Sequence, residues 1–83
     1  MEKELIFIGY KDFVSKKNNK HYNMLDFITE PVVSQDRTRA DCEKITIFVE
    51  DDSKYAEFLK EHSLLSKVVV NVTINGTNVR YSI

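Results

Sequence analysis

The chain has 83 residues, with 42% apolar and 30% charged side chains, and 12 Lys and Arg balance 13 Asp and Glu to a net charge of −1. That length fixes one domain over residues 1–83 with one small core, and the composition excludes both a disordered polyion and a chain covered in basic charge. A single cysteine, Cys42, excludes an intrachain disulfide, and no apolar run approaches the roughly 20 residues that a membrane helix needs. A reducing, cytoplasmic setting is the expectation that follows. A core this small buries only about 60–65% of the unfolded surface, so self-association into a homodimer is expected to supplement it.

Leu5 to Val14 predicts the first strand, with Leu5, Phe7, Gly9 and Phe13 on one face and Ile6, Ile8, Tyr10 and Val14 on the other. Gly9 inside the strand signals a bulge or a sharp bend. Ser15 to Lys20 is polar and holds Asn18-Asn19, which tolerate left-handed backbone; it predicts a hairpin connection. His21 to Glu30 predicts the second strand, with Tyr22, Met24 and Ile28 on one face and Leu25 and Phe27 on the other.

Pro31 cannot donate to a ladder and ends that strand. Residues 31–41, PVVSQDRTRAD, lack a period and read as a long connecting loop that carries Arg37 and Arg39. Cys42 to Val49 predicts the third strand, Ile45, Ile47 and Val49 facing in and Lys44, Thr46 and Phe48 facing out. Glu50 to Ser53 predicts a helix start capped by Asp52 or Ser53, and Lys54 to His62 predicts a helix whose apolar stripe is Tyr55, Phe58, Leu59 and His62. Lys67 to Ile83 predicts a hairpin turning at Asn75-Gly76, which pairs Ile74 with Thr77, Val72 with Val79 and Asn71 with Arg80.

Three strands, one helix and two strands is the element order of the five-stranded OB barrel, a Greek-key architecture in which the helix closes one end. An SH3-like barrel has no helix there, and a ferredoxin-like fold needs two crossover helices.

No spacing matches a phosphate-binding glycine loop, a zinc site or a nucleophile elbow, so neither an enzyme, nor a metal site, nor a cofactor is expected. Glu50-Asp51-Asp52 reads as a solvated acidic helix start and Cys42 as an unreactive strand residue. Charge is segregated, however. Tyr10 to Met24 holds four lysines and one aspartate, whereas Glu50 to Glu61 holds five acids and two lysines. The basic segment is interleaved with aromatic rings, which suits single-stranded nucleic acid, because bases stack on rings while phosphates pair with lysines. Lys16, Lys17, Lys20, Arg37 and Arg39 are the expected phosphate contacts, with Arg80 beside them. Tyr10, Phe13, Tyr22 and Phe48 are the expected stacking faces. Near-neutral charge and the acidic segment favour a rival, an OB-like barrel that recognises a protein partner and binds no nucleic acid.

The segment SKKNNKHYNMLDF and the closing VTINGTNVRYSI hairpin resemble the small OB-fold single-stranded-DNA-binding proteins of bacteriophages and mobile elements, the gene V protein type. That resemblance implies a homodimer that coats single strands through Arg and Tyr side chains on loops and on a sheet face.

Overall fold

A computed structural model describes residues 1–83. Its elements are β1 (Glu2–Val14), β2 (His21–Ile28), β3 (Val32–Val33), β4 (Ala40–Asp41), β5 (Lys44–Val49), α1 (Asp52–Glu61), β6 (Lys67–Asn75) and β7 (Asn78–Ser82). The five long strands form one antiparallel sheet in the order β5-β2-β1-β6-β7. Its two edge strands, β5 and β7, curl back toward each other, which makes a nearly closed OB-like barrel. No helix is long and apolar enough to cross a membrane.

The core follows from alternation. Leu25 and Phe27 of β2, Ile45, Ile47 and Val49 of β5, and Val68 and Val70 of β6 are buried at every second position. Leu5 and Phe7 of β1 join them, and α1 closes the cluster with Tyr55 and Phe58. The Phe58 ring packs edge-on against Phe7 at 5.2 Å and Phe27 at 6.0 Å, the offset geometry that aromatic quadrupoles favour. His62 lies on the same helical stripe and rests on the Phe58 ring at 4.4 Å.

One irregularity determines which side chains reach the outside. β1 pairs Phe7 with Phe27 but Gly9 with Asp26, so β1 carries one extra residue between them. Such a bulge reverses the alternation beyond it. Tyr10 and Asp12 therefore stand opposite the buried Leu25 and Asn23, while Lys11 and Phe13 stand opposite the outward-facing Met24 and Tyr22. Strict alternation had placed Phe13 with Leu5 and Phe7; the bulge at Gly9 turns it outward instead.

Three further expectations are corrected. Residues 31–41 are not an unstructured loop: β3 and β4 pair as a small hairpin, Val32 with Asp41 and Val33 with Ala40. Asp36 organises its turn by accepting from the Ser34 hydroxyl at 2.7 Å and the Thr38 hydroxyl at 2.8 Å. Those hydrogen bonds, Ser34 first, push the Asp36 carboxyl down to about 2. The helix cap is Asp51, whose side chain accepts from the amides of Ser53 and Lys54, because its extended backbone aims the carboxylate back at the first turn.

In the last hairpin, Asn75 pairs with Asn78, so the two turn residues are Gly76 and Thr77. Gly76 holds φ +63, a conformation available to glycine at little cost. The turn sits one residue later than expected, which shifts the pairing by two and puts Arg80 opposite Thr73. A shift of two leaves every side chain on its expected face.

Candidate nucleic-acid interface

The outer face of β1, β2 and β5 is built by the outward residues that alternation leaves once the core is filled. Phe13, Tyr22 and Phe48 lie on three neighbouring strands and touch in sequence. Phe13 stacks on Tyr22 at 5.5 Å with 28° between the rings, and Tyr22 meets Phe48 edge-on at 6.1 Å. Phe13 and Phe48 remain 40% and 57% exposed, far more than a packed core ring would be. Met24 continues the surface, since it pairs with Lys11 on one side and Phe48 on the other. The Lys11 ammonium sits 5.9 Å from the Phe13 ring centre, within cation–π range. The Thr46 hydroxyl donates to Asp26 at 2.7 Å, which ties up the one carboxylate in the middle of β2's outer row.

The β1–β2 turn stands directly above this platform. Ser15 donates its amide to the Lys20 carbonyl at 2.8 Å, and the Asn19 amide donates to the Ser15 carbonyl at 2.9 Å. Asn19 adopts φ 57, the left-handed backbone that asparagine accepts more readily than most residues. Lys16, Lys17 and Lys20 are exposed on this turn, and none forms an ion pair. The Asn18 side chain then reaches down to the Tyr22 hydroxyl at 3.0 Å, which couples the turn to the platform.

A polar network holds the turn end of β2 onto the helix. Asn23 is only 1% exposed and donates to the Val49 carbonyl at 3.1 Å and to Asp52 at 2.7 Å. His21 lies between two carboxylates, Nε2 at 2.9 Å from Asp12 and Nδ1 at 3.3 Å from Asp52. The hydrogen bond to Asp12, aided by the Asp52 charge, raises the His21 pKa, and the hydrogen bond from Asn23 lowers that of Asp52.

Lys16, Lys17, Lys20, Phe13, Tyr22 and Phe48 thus converge on one surface. The remaining candidates do not join it. Tyr10 is 54% exposed but belongs to the inward row, where its ring stacks on Phe7 at 6.1 Å. Arg37 and Arg39 lie on the β3–β4 hairpin beyond the far end of β2, about 25 Å of strand away from the lysine turn. Arg39 is paired with Asp41 at 3.3 Å. Arg80 lies on β7, across the seam from β5.

Two contributors, Lys11 and Met24, were not among the sequence candidates. Met24 shares the face of Tyr22 by the alternation of β2, whereas the place of Lys11 in that row is legible only once the bulge is known. No three or more His, Cys, Asp or Glu side chains gather to hold a metal ion. No family model matches the chain, and no curated protein or solved structure matches it either.

Proposed function

We propose that the protein binds single-stranded DNA across the outer face of β1, β2 and β5, by stacking bases on Phe13, Tyr22 and Phe48 and pairing phosphates with Lys11, Lys16, Lys17 and Lys20. The observation that carries this reading is the contiguous row Phe13–Tyr22–Phe48, exposed at both ends and half-buried at Tyr22, beneath an unpaired lysine turn. Strand faces two and three of an OB barrel, with the first connecting loop, are where such barrels take oligonucleotides, and here they are β2, β5 and the lysine turn. Each stacked base contributes about 1–3 kcal/mol, nearly independent of sequence. Arg37, Arg39 and Arg80 lie off this surface and would meet the nucleic acid only where a bound strand ran on past it. Self-association as a homodimer belongs to the same reading and is tested by sedimentation.

The deciding experiment is binding of a labelled single-stranded oligonucleotide across a salt series. Affinity that falls steeply with salt supports the reading, and no binding at low salt overturns it.

A second reading, a barrel that recognises a protein partner, is favoured by Ile74 and Val79, which face each other across β6–β7 and are about half exposed. It predicts that the lysine turn and the aromatic row can be replaced without loss of function.

A further inference from the structure

The aromatic row ends at a groove of about 350 Å³ between the base of the lysine turn and the end of β5. It is lined by Lys20 of the turn, by Tyr22 and Phe48 of the aromatic row, and by Glu50 just past the end of β5. Three acids follow one another here, and two have work in the fold. Asp51 caps α1, and Asp52 accepts from Asn23 and faces His21. Glu50 is exposed and has neither a hydrogen bond nor an ion pair, and it is the only carboxylate lining the groove.

A carboxylate beside a phosphate path repels the backbone, so an unpartnered one there needs a different complement. An ionised carboxylate only accepts hydrogen bonds, and it offers two parallel oxygens. Among the exposed base edges of a single strand, guanine alone presents two adjacent donors, the N1–H and the 2-amino group. Thymine presents one N3–H between two carbonyl acceptors, and adenine and cytosine each present one amino group beside a ring acceptor. In single strands these edges are free to be read in this way.

We infer that the groove between Lys20 and Glu50 is a base-reading subsite for guanine. The base stacks on Phe48, its Watson–Crick edge faces Glu50, and its phosphate faces Lys20. This inference rests on the proposed single-strand binding and adds one position of base preference to contacts that otherwise ignore sequence.

The test compares a short oligo(dT) with the same oligo carrying isolated guanines, by fluorescence anisotropy with the whole chain. The guanine oligo is expected to bind about ten-fold more tightly, the lower range for a two-bond contact to a base edge. Inosine in place of guanine lacks the 2-amino donor and is expected to lose most of that gain. Glu50→Ala is expected to erase the guanine preference and to tighten oligo(dT) binding modestly, because a negative charge leaves the phosphate path. Equal affinity for the two oligos, or a guanine preference that survives Glu50→Ala, overturns the inference and leaves the stacking reading standing. Failure to bind any oligonucleotide at low salt overturns both.

Discussion

Asn18, at the tip of the β1–β2 turn, donates its side-chain amide to the Tyr22 hydroxyl at 3.0 Å, so the basic turn and the central ring of the aromatic row are fixed to each other. The two classes of contact in the proposed interface are therefore not independent. Tyr22→Ala removes both a stacking face and the anchor of the turn, and is expected to weaken single-stranded DNA binding by about 1–3 kcal/mol. Tyr22→Phe keeps the ring and loses only the hydrogen bond, and is expected to cost under about 1 kcal/mol. Anisotropy titration of both variants checks the ordering; equal loss in the two would assign the effect to the turn rather than to stacking.

The lysine turn is expected to set the salt dependence. For single strands, log K falls with log salt at a slope of about −0.7 per phosphate neutralised. Replacing Lys16, Lys17 and Lys20 together by Ala is expected to make that slope shallower by about 2. A triple variant with an unchanged slope would move the phosphate contacts elsewhere.

His21 gives the fold a pH dependence with a definite sign. Its folded pKa is raised above 6.5 by Asp12 and Asp52, so its contribution is fully present below pH 6.5 and is lost as pH rises through the folded value. Asp52 is lowered from 3.8, so its contribution is present above pH 3.8 and is lost as pH falls through its folded value. The link between β2 and α1 is thus strongest between about pH 4 and 6.5. Thermal unfolding of wild type and His21→Ala at pH 5 and pH 8 checks this: the gap in Tm between them is expected to narrow at pH 8.

Two buried polar groups should answer substitution in opposite directions. Asn23→Ala removes both hydrogen bonds that tie β2 to Val49 and Asp52, and is expected to destabilise the protein by about 2 kcal/mol. Tyr55 is also buried, but its hydroxyl has no hydrogen-bond partner, and burial, with the Asp12 charge, raises its pKa. Tyr55→Phe is expected to stabilise by about 1 kcal/mol, since it removes an unpaired polar atom and keeps the ring. Urea unfolding of the two variants measures both.

Most of the barrel was legible because its elements are marked by local chemistry. Ile45, Ile47 and Val49 alternate cleanly, and Tyr55, Phe58, Leu59 and His62 keep helical spacing. The position of the last turn was displaced because Asn75-Gly76 and Gly76-Thr77 are both acceptable turn pairs, and a shift of two between them costs no burial. The β3–β4 hairpin escaped notice because two residues per strand carry no period, and its order comes from Asp36 contacts. The site was half legible. Phe48 could be assigned outward from its neighbours in β5, whereas strict alternation assigned Phe13 and Tyr10 to the wrong rows, because Gly9 signals either a bulge or a bend and the sequence does not decide between them.

That leftover residue makes β1 two strands spliced end to end, the first obeying the core and the second obeying the outer surface. The splice acts as a parity switch. If the same residues ran without a bulge, strict alternation would put Asp12 and Val14 on the outer face in place of Lys11 and Phe13, whereas deleting Ile8 would remove the surplus residue and leave Lys11 opposite Met24 and Phe13 opposite Tyr22. The unbulged layout would turn a cationic aromatic surface into an acidic aliphatic one with no change in any residue that composes it. The surplus residue, and not the composition of β1 alone, therefore decides which of its side chains the outer face presents.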